Sequence, residues 1–451
     1  NTACFWTQLT PAAPFHKAFW SAPASATASL LVPRAHSFIP RRRGPSFPAS
    51  HSARRHGATG EGHMHFELDE DHRMIQDLVR KFVDENLKPL EPKVLERDAA
   101  GEGAYLTEDE KAAIDARSQE LGLWGLDAPE DVGGSDLPFV AMIGVNIEIG
   151  KTCTPYYIPP DSPNLRMLMA TVNDDQRTRY LAPYVQGGTI SAIGISEPGA
   201  GADPAAMTTR AIRDGDDWII NGRKIWISRA PQADFTILMA VTDKEKGARG
   251  GMSAFLVDKG TPGFNITRKI PMIGGQATYE IALEDCRVPH ANLLGEEGKG
   301  FAPMQVRLST RRMQMASWCI GAAQRALDMM LEYAPQRSTF GAPLSERQTV
   351  QNWIADAYTR IRAATLMTYE TAWKLDNDMD VRTDISMIKA YATEMAYDIL
   401  DNAMQLYGAM GMTKELPLHL MQSHIRTQRI YDGPTEIHNW VVARNLLGLK
   451  R

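Results

Sequence analysis

From about residue 65 to 188 the apolar residues recur with a helical period. After Asp71, the residues Ile75, Leu78, Val79, Phe82 and Val83 share one face while Glu and Lys fill the other, which predicts an amphipathic helix. Asp131-Val-Gly-Gly134 and Ile158-Pro-Pro160 are the expected breaks. Between about 189 and 295 the period changes to two, and residues 235–241, 253–257, 264–270 and 279–288 read as strands with Gly, Asp and Pro between them. Within Asp217-Trp-Ile-Ile-Asn-Gly-Arg-Lys-Ile-Trp-Ile-Ser228, the pair Asn221-Gly222 predicts a hairpin turn. No helical pattern alternates with these strands, so an antiparallel sheet or small barrel is expected rather than βαβ units. From about 298 onward the helical period returns. One stripe runs through Ile388, Tyr391, Ala392, Met395, Ile399, Ala403 and Leu406, and another spans 313–331. The pattern therefore predicts an α+β chain with a helical domain at 64–188, a middle antiparallel β domain at 189–295 and a helical bundle at 296–451.

Composition adds an extension in front of these. Residues 1–60 hold seven Lys/Arg, no Asp or Glu, and no apolar run long enough for a signal peptide or membrane span. Residues 1–63 are thus expected to lie outside the fold, as an organellar transit peptide leading to the mitochondrial matrix or as non-native sequence on a soluble cytoplasmic protein. The remainder carries all 54 acids and 42 of the 49 Lys/Arg, a net charge of 42 − 54 = −12. Such a surface repels nucleic acid and anionic membrane, so neither is expected as a partner. Cys153, Cys286 and Cys319 stand far apart without metal-ligand spacing and read as buried small hydrophobes in a reducing compartment, with no metal site.

Several segments carry candidate chemistry, and each also has a purely structural reading. Asp432, before Gly433-Pro434, sits where a helix cannot run on, so it serves either as a turn cap or as a placed carboxylate. Glu197-Pro-Gly-Ala-Gly201 lacks the third glycine and following helix of a Rossmann fingerprint. It is either a plain loop or one whose glycines bring backbone N–H groups close to a ligand. Strand alternation puts Trp226 and Ser228 on one face, as a core pair or as a wall and hydrogen bond for a flat heteroaromatic ring. Arg337 and Phe340 belong to an interhelical connection that offers a guanidinium fork for pyrophosphate and an aromatic face.

Six segments occur in order: the Glu197 to Gly201 loop; Asn221-Gly-Arg-Lys-Ile-Trp-Ile-Ser228; Val288-Pro-His-Ala-Asn-Leu-Leu-Gly295 with Gly298 to Phe301; Arg337 to Gln348; Gln405-Leu-Tyr-Gly-Ala-Met-Gly411; and Tyr431-Asp-Gly-Pro434. Together they resemble the acyl-CoA dehydrogenase family of flavoproteins from about residue 65 to the C-terminus. The resemblance implies a helical N-terminal domain, a β domain and a C-terminal four-helix bundle, with FAD between sheet and bundle. It implies flavin contacts from Ser196, Gly201, Trp226 and Ser228. Arg337, Phe340, Gln348, Gln405, Gly408, Gly411 and Glu436 would contact FAD too, the first six reaching the ADP half held by a neighbouring subunit, hence a homodimer or homotetramer. Arg312 and Gly433 would meet the acyl-CoA, and Asp432 would take its α proton while the β hydride goes to flavin N5, giving a trans-2-enoyl-CoA. Electrons would pass to an electron-transferring flavoprotein.

Two departures stand out. Most members of that family have Glu at the position of Asp432, and a subgroup has its base at the position of Arg311, which as a guanidinium cannot serve. Pro434 also replaces a common Thr, and the Asp-Gly-Pro form resembles a subgroup that includes large fused dehydrogenases. The resemblance extends to nitroalkane oxidases, which also use Asp, to acyl-CoA oxidases, and to non-enzymatic assembly or DNA-associated members.

Overall fold

Thr107 opens its helix with a reciprocal cap: its hydroxyl accepts from Glu110 N–H at 3.2 Å while the Glu110 carboxylate accepts from Thr107 N–H at 3.0 Å. Signals of this kind punctuate the N-terminal region of the computed structural model, which describes residues 69–449. The extension expected at 1–63 lies outside the described residues. Helices Glu70–Phe82, Glu91–Ala99, Glu108–Glu120, Phe139–Ile149 and Ser162–Met169 lead the described chain. In the first, Val79 and Phe82 are buried, as the apolar stripe requires. Phe139–Ile149 is apolar nearly all round because it is enclosed, and it packs on the long helix Phe301–Gln336. Two glycines set that approach. A Cβ on Gly150 would lie 2.4 Å from the Trp318 carbonyl oxygen, and one on Gly321 would lie 2.1 Å from that of Ile147.

Eight strands form the middle sheet: β1 (Ser191–Gly194), β2 (Arg210–Asp214), β3 (Asp217–Ile227), β4 (Phe235–Val241), β5 (Met252–Asp258), β6 (Phe264–Pro271), β7 (Ala277–Pro289) and β8 (Leu293–Leu294). Their order is β6-β7-β3-β2-β4-β5-β8, with β1 beside β4. The long pairings are antiparallel; β1 runs parallel to β4, with Ser191 opposite Phe235. One apolar cluster under the sheet gathers Leu165, Leu168 and Leu181 against Ile237 and Leu256, while another on the opposite face holds Trp218, Phe255 and Val288.

The expected hairpin at Asn221-Gly222 is absent. β3 runs straight through both residues, with a register shift against β7 between Ile220 and Gly222, and the reversal falls earlier, at Gly215 with φ +63°. Gly222 has a different reason to be glycine: its Cβ would stand 2.4 Å from Thr209 Oγ1, so the site serves close approach rather than turning.

The C-terminal region is built from helices Phe301–Gln336, Gln348–Asp376, Arg382–Tyr407, Leu418–Gln428 and Thr435–Leu446. Its core contains Met313, Ile320, Leu327, Ile388, Met395, Ile399 and Ala403. The Asp376 carboxylate accepts from the N–H groups of Phe139 and Val140 at 2.8 and 2.9 Å, which fixes the bundle to the start of the enclosed N-terminal helix. Cys153, Cys286 and Cys319 are buried and free. Among the described residues no helix is long and apolar enough to cross a membrane.

Candidate functional site

Asp432 stands in the break between the last two helices with φ +53°, a left-handed backbone that is uncommon for a residue with a side chain. The turn is held by its own carbonyls. Arg312 Nε donates to the Asp432 carbonyl at 2.8 Å, and Lys389 Nζ donates to the Gly433 carbonyl at 2.6 Å. Behind it lies His438, wholly buried, and a Cβ at Gly433 would come within 2.8 Å of His438 Nε2. Burial, with Arg312 and Lys389 nearby, pushes the His438 imidazole down to about 3, so it is neutral at physiological pH. Burial likewise brings Lys389 down to about 8.

The carboxylate of Asp432 does not cap the following helix. Pro434 occupies the N-cap position with no side-chain hydrogen bond, and Thr435 instead donates to Glu394 at 2.7 Å. Asp432 Oδ1 accepts from Arg307 Nη1 at 2.6 Å, in a pair whose side chains are only 12% and 8% exposed. From there a line of hydrogen bonds crosses to the sheet. Arg307 Nε donates to Asn164 Oδ1 (3.3 Å), Asn164 Nδ2 to Ser191 Oγ (2.8 Å), and Ser191 Oγ to the Tyr184 hydroxyl (2.9 Å). Ser191 begins β1, the strand that leads into the Ser196 loop.

Arg311 is committed elsewhere, to Asp161, in a second buried pair. Burial alone would raise the Asp161 carboxyl, but Arg311, Arg229 and Arg307 outweigh it and hold it below its usual range. Arg229 lies 5.3 Å from the Tyr157 ring centroid, so the segment just after Ser228 meets the same charged group.

The loop and strand on the sheet side are joined by one buried ion pair. Glu197 Oε1 accepts from Lys224 Nζ and Thr209 N–H, each at 2.9 Å, and Oε2 accepts from the Thr208 N–H and hydroxyl, each at 2.7 Å. Every lone-pair direction is used, so the Glu197 carboxyl, which burial would raise, is drawn down to about 2 by Lys224 and the threonines. The Ile225 N–H donates to the Ser196 carbonyl at 3.0 Å and completes the join. Just beyond, a bulge in β3 turns Trp226 to φ +64° with 52% of its surface exposed, and Ser228 is exposed as well. A Cβ at Gly199 or Gly201 would meet nothing within 4 Å, so the loop leaves open space beside its own backbone. An exposed indole with a hydroxyl close by in the chain suits a flat heteroaromatic ring such as isoalloxazine.

The other sequence-derived residues gather at one end of the bundle. Ser338–Thr339 and Ala342–Pro343 pair as a small hairpin, with Phe340 (φ +50°) and Gly341 (φ +76°) at its tip and Phe340 fully exposed. Arg347 straps this tip by donating to the Thr339 and Phe340 carbonyls. Tyr333 and Tyr407 stack at 4.1 Å, which brings Gln405, Gly408 and Gly411 beside the Arg337 connection. Arg337, Gln348, Gln405 and Gly408 are exposed, as is Glu436 near the Asp432 turn. Gly411 is buried because its Cβ would lie 2.1 Å from the Met404 carbonyl oxygen.

Sequence reasoning missed Arg307, Lys389, His438 and the Glu197–Lys224 pair. A signal existed for two of them. Lys389 sits between Ile388 and Ala392 in an otherwise apolar stripe, and Arg307 sits between Met304 and Leu308 on the buried side of its helix. A charge on a buried face needs a partner, and these two find theirs at the Asp432 turn.

Comparison with known proteins covers nearly all of the described chain. Residues 69–188, 192–286 and 298–447 match the family models for the N-terminal, middle and C-terminal domains of acyl-CoA dehydrogenases. (R)-benzylsuccinyl-CoA dehydrogenase of Thauera aromatica is 38% identical over 394 residues, spanning 85% of this chain and 97% of that protein. The solved butyryl-CoA dehydrogenase of Megasphaera elsdenii superposes with a TM-score of 0.77 at 30% identity, covering 85% of this chain and all of that one. A glutaryl-CoA dehydrogenase of Mycobacterium smegmatis, solved with FADH2, gives 0.74 at 26% identity, covering 84% and 95%.

Proposed function

Because the chain belongs to the acyl-CoA dehydrogenase family, we propose that it oxidises an acyl-CoA thioester to the trans-2-enoyl-CoA with Asp432 as the base. FAD, the redox group of this family, supplies a hydride acceptor and a visible band that bleaches on reduction. Ser196, Gly201, Trp226 and Ser228 line the side of the sheet where the flavin ring would rest, with the indole as its wall. Glu197 and Lys224 keep loop and strand in register beneath them.

The observation that carries the reading is the posture of Asp432. A carboxylate that served only as a turn cap would bond the next helix; this one turns away from it, on a turn anchored by Arg312 and Lys389. A thioester acidifies its α C–H, and a fixed carboxylate beside it removes the cost of orienting the base. Arg311, locked to Asp161, leaves Asp432 as the base on this side. Gly433, pressed against His438, keeps the turn beside the base slim enough for a thioester to lie along it. The neutral His438 adds no charge there.

The residues at the bundle end act on a different molecule. From Lys389 to Tyr407 the helix rises about 27 Å at ~1.5 Å per residue, so Arg337, Phe340, Gln405 and Gly408 stand too far from Asp432 to share its flavin ring. They suit the ADP half of FAD in a second copy of the chain, with Gln348 and Gly411 shaping the same corner, which makes the working unit a homodimer or a tetramer of such pairs. Electrons leave to an electron-transferring flavoprotein. Anaerobic addition of acyl-CoA to the purified protein tests the reading: the flavin band should bleach, and colourless, folded protein that takes up no FAD would overturn it.

A further inference from the structure

The charges around Asp432 do not balance. Arg229, Arg307 and Arg311 all act on Asp161, and the carboxylates that answer them are Asp161 itself and Asp432. With Arg312 and Lys389 also held against the Asp432 turn, cations outnumber the two carboxylates, and the two ion pairs are nearly closed to water. Proton transfer would deepen the imbalance. When Asp432 accepts the α proton it becomes neutral, and Arg307 is left as a buried cation without its counter-ion, which is strongly unfavourable. A carboxylate held 2.6 Å from a guanidinium is also a weaker base than one left alone.

Resting on the reading of Asp432 as the base, we propose that the acyl group taken by this site itself carries a carboxylate, as in succinyl-type or glutaryl-type mono-thioesters, and that Arg307 receives it. The substrate anion lowers the excess of positive charge. Arg307 turns its fork from Asp432 toward the incoming carboxylate, as a planar guanidinium is suited to do. Asp432 is freed to act as the base, and its protonation no longer strands a cation. An uncharged acyl chain offers no such exchange: it must displace nothing and leaves Asp432 paired. Arg307 is therefore a specificity residue for the far end of the acyl group, while Asn164, at 3.3 Å from Nε, keeps the guanidinium in place during the swap.

The test uses the flavin-loaded enzyme with matched thioesters. Succinyl-CoA and glutaryl-CoA carry the carboxylate; 4-methylpentanoyl-CoA and 5-methylhexanoyl-CoA replace it with an isopropyl group of similar shape. The charged members should bleach the flavin with kcat/KM at least ~10²-fold above their uncharged partners, since a site built for a polar group rejects the analogue that lacks it. Arg307→Gln should bring that ratio close to one, and Arg307→Lys should keep part of it. Binding gives a second readout that needs no turnover. In Asp432→Asn the anion that competes for Arg307 is gone, so calorimetry should show glutaryl-CoA bound at least ~10-fold more tightly than by the native enzyme, with 5-methylhexanoyl-CoA unchanged. If Arg307→Gln does not fold, this binding comparison decides the matter, and equal affinities in Asp432→Asn and the native enzyme would sink the inference. Uncharged thioesters that bleach the flavin as fast as charged ones would overturn this inference alone. The same charged preference in Arg307→Gln would also overturn it. No bleaching by any thioester would overturn the base assignment and this inference together.

Discussion

The turn at Asp432 and the hairpin at Phe340 are both left-handed at a residue that carries a side chain, yet they are built in opposite ways. Asp432 is enclosed: its carbonyl, its neighbour's carbonyl and its carboxylate each have a cationic partner within 3 Å. Phe340 is open, with its backbone strapped by Arg347 and its whole ring in solvent. Strain at the first turn is supported by charged hydrogen bonds inside one chain. Strain at the second presents an aromatic ring that nothing among the described residues covers. On the proposed function, the difference separates the half of the site that one chain would complete alone from the half that a second copy would cover.

The largest expected effect is at the enclosed turn. Asp432→Asn keeps the shape but cannot take a proton, so flavin reduction should fall at least ~10²-fold while FAD content and oligomeric state stay put. Near-native reduction would move the base elsewhere and dissolve the contrast between the two turns. Asp432→Glu is the next step down. The 2.6 Å contact to Arg307 leaves no space for another methylene without shifting one partner, and a one-methylene misfit costs about 1–3 kcal/mol in discrimination. Activity should drop most for bulky acyl groups and least for straight ones. Equal kinetics for Asp and Glu across straight, branched and cyclic thioesters would show that the enclosure is looser than its distances suggest.

These two tests bear on what the sequence made readable. The change of period from helix to strand and back was plain, because burial of one face imposes it residue by residue: 235–241 was expected as a strand and is one. The break at Asp432 was readable because Gly433-Pro434 ends a helix, whereas its role as a base came only from the family resemblance. For Arg307 only its place on a buried helix face was legible; its partner, 125 residues away, was not. The Asn221-Gly222 error has the same origin. Local turn preference favours a hairpin, but pairing with β7 on one side and contact with Thr209 on the other hold the strand straight.

A smaller effect separates the support beneath the enclosed turn from the turn itself. Lys389 has a pKa near 8 in the fold against 10.5 when exposed. The unfolded chain therefore binds more protons between pH 8 and 10.5, and the fold should gain stability as pH rises through that window. Lys389→Met should flatten this rise and lower the midpoint of denaturation at neutral pH, because the Gly433 carbonyl loses its donor. Lys224 titrates in the same window in both proteins, so the difference between the two pH curves isolates Lys389. Parallel curves would mean that Lys389 does not hold the turn.

The smallest effect belongs to the open hairpin, and it should carry two signs. Phe340 adopts φ +50°, which costs a residue with a Cβ about 1–2 kcal/mol relative to glycine. Phe340→Gly removes that strain together with a fully exposed ring, and the ring makes no contribution to the core of its own chain. The change in chain entropy works the other way, because glycine loses more freedom on folding, so the net gain in stability should stay below ~1 kcal/mol. If the ring meets the cofactor or chain of a second copy, the same substitution should weaken FAD retention and shift the assembly toward single chains at low concentration. Stability and assembly would then move apart, which is the signature of a residue kept for contact rather than for folding. Sedimentation and FAD content measured on one dilution series would decide it. Unchanged assembly with improved stability would leave Phe340 as an unrelieved cost, and the second copy would have to be sought at another surface.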